Sequence, residues 1–276
     1  MAPRDPRDLR RLLRQLEIGK TRARVFSLRR LLFRDILRVG AVAALITVQT
    51  NLTIAIATGI VGSFGTGAIA GYGIGSRLEY LLVPLVFGLG SPLVAMVGTN
   101  IGANRRERAL RTAWIGGAMA AGLCEMIGLC AAAFPRAWLS LFDTDPAMLD
   151  AGSRYLHTVG PLYGFFGLGM ALYFASQGAG RLLWPLLANG ARLVIAAGGG
   201  WLALRWTGDL SVVFAALGAA LTAFGWLNAA AVAGGAWFGR IAAPRLGFLV
   251  VLGRQKPPES SGSSPLLSFP KKEEVT

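Results

Sequence analysis

The stretch GSRLEYLLVPLVFGLG, residues 75–90, decides the fold class of this 276-residue chain. From Leu81 to Gly102 the sequence carries no charged residue, yet Pro84 and Pro92 interrupt the apolar run together with several glycines. Core strands of soluble proteins rarely exceed about ten residues, and helices of soluble proteins avoid proline in their interiors. Because helices that span lipid tolerate both proline and glycine, the stretch indicates a transmembrane segment.

Composition extends this interpretation to the whole chain. The sequence is 54% hydrophobic and 15% charged, with a mean hydropathy of +0.53, whereas ordinary globular domains are about 25% charged. The net charge of +14 is located at the chain ends and between apolar blocks, so it indicates membrane flanks and not nucleic-acid binding. With two cysteines inside one apolar block and a single histidine, no metal centre and no cofactor is expected.

Six apolar stretches are long enough to cross a bilayer, since a spanning helix needs about 20 residues. These stretches are residues 36–62, 78–101, 109–134, 156–178, 182–204 and 210–238. An even number of spans places both chain ends on one side. With that side cytoplasmic, 22 of the 28 Lys and Arg residues lie inside and 3 lie outside. The sequence therefore predicts an all-α, multi-pass protein of a bacterial inner membrane with both termini in the cytoplasm.

The charge distribution divides the chain into three regions. Residues 1–35 carry leucines at helical spacing opposite arginines, which predicts a basic amphipathic helix. This helix either lies along the inner leaflet or connects to a preceding part of a protein. Residues 36–238 form the predicted six-helix lobe, and residues 239–276, rich in Pro, Ser and charge, form a predicted disordered cytoplasmic tail.

Ionisable residues at membrane depth are functional candidates, because their burial in lipid is costly. Arg77 and Glu79 stand at the predicted outer end of the second span. They are either interfacial, snorkelling side chains or residues at the mouth of a cavity. The second alternative follows from the length of residues 67–102, which exceeds one crossing and requires a broken helix or a protruding end.

Two further pairs of polar residues lie inside spans. Gln49 and Asn51, in the middle of the first span, either form interhelical hydrogen bonds or face a ligand. Glu125 in the third span and Arg192 in the fifth are opposite in sign and each alone in its helix. An ion pair between them is one possibility.

Aromatic residues supply the remaining candidates. Tyr163 and Gln177 frame the fourth span, whose rings form either a wall for a flat organic cation or ordinary core packing. Tyr72 belongs to the stretch GYGIGS (71–76), ahead of the second span, and is counted with the candidate pathway residues. GYGIGS is no dinucleotide-binding fingerprint, because no βαβ context surrounds it.

Three stretches together carry a family resemblance. They are FRDILRVGAVAALITVQTNL (33–52), AGYGIGSRLEYLLVPLVFGLGSPLVAMVGTNIGA (70–103) and YFASQGAGRLLWPLLANGARLVIA (173–196). In order and spacing they resemble the multidrug and toxic compound extrusion (MATE) family of cation-coupled antiporters. The resemblance covers residues 33–238 and corresponds to the carboxyl-terminal lobe of that family.

The resemblance implies a transport function. Members of the family have two lobes of six helices around a substrate cleft, and exchange inward-moving H⁺ or Na⁺ for an outgoing organic cation as the lobes rock. The expected partners are therefore the lipid bilayer, organic cations, H⁺ or Na⁺, and a second six-helix lobe or second copy, with no nucleic acid. Gln49 stands where the sodium-coupled branch carries a carboxylate, so the resemblance favours H⁺ over Na⁺.

Two other functions compete with transport. The chain could be a truncated, non-transporting membrane fragment or an assembly partner, since the resemblance includes only one lobe. A membrane enzyme would need a nucleophile with a matching base or a metal cluster, and the sequence offers neither. The protein is therefore not expected to be an enzyme.

Overall fold

A computed structural model of the chain describes residues 30–238. The amphipathic helix predicted within residues 1–35 lies almost entirely outside the described residues, and the predicted tail 239–276 lies wholly outside them. Both remain predictions. Everything below refers to residues 30–238, and no strand occurs among them.

Nine α-helices build the described region. Their bounds are α1 Arg30–Gly62, α2 Thr66–Gly102, α3 Arg106–Ala133, α4 Pro135–Leu139, α5 Pro146–Val159, α6 Tyr163–Gly178, α7 Leu183–Val194, α8 Gly200–Trp206 and α9 Leu210–Ala233. A 3₁₀ turn, Gly160–Leu162, joins α5 to α6, and a π-helical turn, Ile195–Gly199, joins α7 to α8. A last 3₁₀ turn covers Ala236–Phe238.

Six of these helical segments are long and apolar enough to cross a membrane, which confirms the predicted all-α fold with six spans. The spans are α1 from Gly40, α2, α3, α5 with α6, α7 with α8, and α9. Three begin earlier than the sequence predicted: the second at Thr66, the third at Arg106 and the fourth at Pro146, the second and fourth by ten residues or more. The fourth starts early because Asp145 caps α5, its carboxylate accepting a hydrogen bond of 3.0 Å from the Met148 N–H.

α2 runs unbroken through Pro84 and Pro92. Of the two explanations for its length, a broken helix or a protruding end, the protruding end is therefore the correct one. Its 37 residues correspond to a length of about 55 Å. From the α1–α2 turn, Thr50 and Glu79 each lie about 20 Å along their helices. Glu79 is therefore level with the middle of α1, and the additional length of α2 lies towards Gly102.

Glycines bring α2 against α5 and α6. Gly67, Gly71 and Gly75, spaced by four, face α5. A Cβ atom on Gly71 would lie 2.5 Å from the Met148 carbonyl oxygen and 2.6 Å from the nitrogen of Gly152, too close for any side chain. Small residues at this spacing allow membrane helices to approach through their backbones. The GYGIGS stretch therefore serves helix packing.

The centre of the core is an aromatic cluster between α2, α5 and α9. The ring centroids of Tyr72 and Tyr155 are 5.3 Å apart, as are those of Tyr155 and Phe214, both in edge-to-face arrangements. All three side chains are buried. Such pairs fix the relative positions of their helices beyond the effect of area alone.

Candidate functional site

A cavity of about 300 Å³ lies inside the bundle. All the helices that form spans contribute lining residues except α3 and α8. Its aromatic lining consists of Tyr72, Tyr80, Phe87, Tyr155, Phe166, Tyr173 and Phe224. Its uncharged polar lining consists of Thr47, Thr50, Asn51, Thr53, Ser76 and Asn189. A mostly apolar wall with few polar groups is typical of small-molecule sites.

Glu79 and Arg192 are the two charged residues among those that line the cavity. The Arg192 Nη2 lies 2.8 Å from the Glu79 Oε1, and the side chains are only 13% and 21% exposed. The guanidinium carbon of Arg192 also lies 5.7 Å from the ring centroid of Phe224. The hypothesis that Arg192 pairs with Glu125 is wrong, because the turn of α7 that carries Arg192 faces α2 across the cavity.

Asn189 ties α7 to α1 beside this ion pair. Its side chain is 2% exposed, and its Nδ2 donates to the Ile46 carbonyl oxygen at 3.0 Å and to the Thr50 hydroxyl at 3.1 Å. The sequence analysis did not single out Asn189. Its position three residues before Arg192, on the same helical face, was the available indication.

The polar groups that α1 presents to the cavity are already bonded within α1. The Thr50 hydroxyl donates to the Ile46 carbonyl oxygen at 3.0 Å, and the Asn51 Nδ2 donates to the Thr47 carbonyl oxygen at 2.9 Å. The Asn51 Oδ1 remains as an acceptor, whereas the Thr50 hydroxyl already accepts from the Asn189 Nδ2. The site therefore offers acceptor oxygens, one carboxylate and several π faces, a combination that suits an organic cation.

Comparison with known proteins agrees with this architecture. The family model called MatE matches residues 43–202, more than half of the chain. The chain belongs to the MatE family. The FAD transporter of Shewanella oneidensis is 28% identical to it over 120 residues, which cover 44% of this chain and 26% of that transporter. The resemblance inferred from the sequence is thus confirmed, and the MatE chain aligns with about a quarter of this relative's length.

The MatE bundle brings four of the nine predicted pathway residues to the cavity: Asn51, Tyr72, Glu79 and Arg192. The other five do not line it. Arg77 is exposed, with its guanidinium carbon 5.5 Å from the ring centroid of Phe142. Arg77 thus lies outside the cavity, and its long side chain reaches the α4–α5 loop, as a snorkelling side chain does.

Among these five, Gln49 and Glu125 serve contacts between helices. Gln49 is half-buried, and its Oε1 lies 3.5 Å from the Asn189 Nδ2. Glu125 accepts a hydrogen bond of 2.7 Å at Oε2 from the backbone N–H of Gly164, at the start of α6. Both residues therefore make hydrogen-bonding contacts between helices, as polar residues in membrane helices often do.

The last two are Tyr163 and Gln177, at opposite ends of α6. Tyr163 is fully buried, and its hydroxyl has no hydrogen-bond partner among the described residues. Gln177 is half-buried in the final turn of α6. Phe166 and Tyr173, two rings of the predicted fourth span, line the MatE cavity together with rings of α2, α5 and α9.

Proposed function

We propose that the protein is one lobe of a secondary transporter that exports amphipathic organic cations in exchange for H⁺ or Na⁺. The single observation that carries this proposal is the aromatic cavity around Glu79. Glu79 lines this cavity from a membrane-spanning helix, where a carboxylate released from its ion pair with Arg192 would attract a cation strongly. Membership of the MatE family supports the transport part of the proposal.

Of the two coupling ions, we propose H⁺. Gln49, a neutral amide, stands on α1 where the resemblance places a carboxylate of the sodium-coupled branch. Glu79 is the carboxylate among the cavity-lining residues. The other oxygens that line the cavity belong to hydroxyl and amide groups, so the described lining offers no second carboxylate to balance the charge of a bound Na⁺ beside the Glu79–Arg192 pair.

Ethidium accumulation in bacterial cells tests the proposal. Cells that express the wild type should accumulate less ethidium than cells with an empty vector, and cells that express Glu79→Gln should not differ from the empty vector. Glu107→Gln is the matched control, because Glu107 is exposed at the start of α3. Equal accumulation with wild type and empty vector would remove the proposal for this chain acting alone.

The name of the Shewanella relative suggests FAD as a second candidate substrate. Its diphosphate is anionic, and the arginine of the cavity is already paired with Glu79, so the charged groups of the cavity favour neither an anion nor a cation. The cavity, at about 300 Å³, is at the lower limit of ligand pockets, which favours an organic cation smaller than FAD. Flavin export would appear as a raised flavin concentration in the culture medium of the expressing cells.

The proposed partner is a second six-helix lobe or a second copy of the chain, which would complete the cleft. Cross-linking in native membranes should then give a product of about twice the mass of one lobe. A product of single mass throughout would favour the alternative, a membrane fragment without transport activity.

A further inference from the structure

In the ion pair of the cavity, the Arg192 guanidinium occupies the place beside Glu79 that a bound organic cation would take. The Arg192 guanidinium contacts Glu79 at 2.8 Å, and both side chains are largely shielded from solvent. Arginine stays protonated at all physiological pH values. Glu79 therefore has a permanent positive partner for as long as Arg192 remains in this position.

The guanidinium of Arg192 also has an aromatic neighbour. The ring centroid of Phe224, in α9, lies 5.7 Å from the guanidinium carbon. Aromatic faces attract guanidinium groups, and do so more strongly when water is excluded. A cation that entered the cavity could thus take Glu79 while Arg192 kept contact with the Phe224 ring.

From this geometry, in which Arg192 contacts Glu79 and the Phe224 ring at the same time, we propose that Arg192 is a specificity-determining residue, a tethered cation that competes with the transported organic cation for Glu79. The inference rests on the proposed function, in which this cavity receives the substrate. It implies that the intact pair weakens cation binding, so that only cations with enough aromatic surface to gain from the surrounding rings displace Arg192. Small hydrophilic cations would be rejected.

Ethidium binding to the purified full-length chain in detergent tests the competition without any transport step. Arg192→Gln should bind ethidium about tenfold more tightly than the wild type, equivalent to about 1.4 kcal/mol. The double variant Glu79→Gln/Arg192→Gln should lose this gain. Fluorescence anisotropy measures all three affinities.

Arg205→Gln is the matched control. Arg205 lies in the same span, is exposed, and has its guanidinium carbon 5.6 Å from the Trp201 ring centroid. It does not line the cavity, so ethidium affinity should not change. Should Arg192→Gln fail to fold, Arg192→Lys keeps the charge with a single-point contact, and a smaller gain of about threefold is expected.

An affinity of folded Arg192→Gln equal to or below that of the wild type would overturn the inference, as would an unchanged gain in the double variant. If Arg192→Gln does not fold, an unchanged ethidium affinity in Arg192→Lys would also overturn the inference. The binding assay in detergent does not depend on transport, so a negative result in the cellular assay would not affect it. A tenfold gain without cellular export would uphold Arg192 as the competitor while removing the proposed function.

Discussion

Glu125 shows how one carboxylate inside a membrane helix can have a structural role. Its Oε2 accepts the backbone N–H of Gly164 at 2.7 Å, where the 3₁₀ turn ends and α6 begins. The first N–H groups of a helix have no partner within it, and in lipid no water replaces them. Glu125 therefore caps α6 from the neighbouring helix α3.

Replacing Glu125 by alanine should lower the free energy of unfolding by about 1–3 kcal/mol, since a partly buried N–H loses its acceptor. Glu125→Gln retains a carbonyl oxygen and should lose much less. Thermal unfolding of purified protein in detergent, followed by tryptophan fluorescence, measures both. Equal loss in the two variants would show that the negative charge, and not the hydrogen bond, stabilises the start of α6.

Single residues also show what the sequence can and cannot predict. The charge of Glu79 and Arg192 at membrane depth makes both of them candidates. Their pairing cannot be predicted, since 113 residues separate them and no local spacing connects their helices. Glu125 was offered as the partner of Arg192 on charge alone. Asn189 was missed because an uncharged amide in an apolar span attracts less notice than an ion.

At the scale of helices, the contact between α2 and α5 depends on glycine. Gly71→Ala should lower stability by about 1–3 kcal/mol, because its Cβ would clash with backbone atoms of α5. Gly73→Ala is the matched control in the same helix, with nothing within 4 Å of its Cβ. It should be neutral or gain up to about 1 kcal/mol from helix propensity.

Melting temperatures of the two variants in detergent provide the comparison. If Gly71→Ala were as stable as Gly73→Ala, the close approach of α2 to α5 would be in error. The spacing of Gly67, Gly71 and Gly75 is typical of close helix contacts, but nothing in the sequence identifies α5 as the partner. The sequence predicts the second span from residue 78, whereas α2 begins twelve residues earlier, at Thr66.

At the scale of the whole molecule, the distribution of Lys and Arg predicts which face meets the cytoplasm. A phosphatase domain, which is active only outside the cytoplasm, should be active when fused after Asp143, in the α4–α5 loop. It should be inactive when fused after Asn104, in the α2–α3 loop, or at the carboxyl end. Green fluorescent protein at these positions should give the opposite pattern.

The experiment contains its own control, because each position is tested with one reporter that is active only outside the cytoplasm and one that is fluorescent only inside it. Activity of the phosphatase at Asn104 would reverse the orientation, and activity at all three positions would contradict six alternating spans. The number of spans followed from the sequence because apolar length alone decides it. The cavity could not be predicted in the same way, since it depends on how the spans pack.

The separation of Glu79 from its counter-ion has a consequence during synthesis. Ribosomes add about 5–20 residues per second, so the 113 residues between the two partners take roughly 6 to 23 s to make. Throughout that interval the nascent second span must enter the bilayer with an acid that no arginine yet neutralises. Its insertion thus depends on the uncharged run from Leu81 to Gly102, which is apolar enough to carry the acid in.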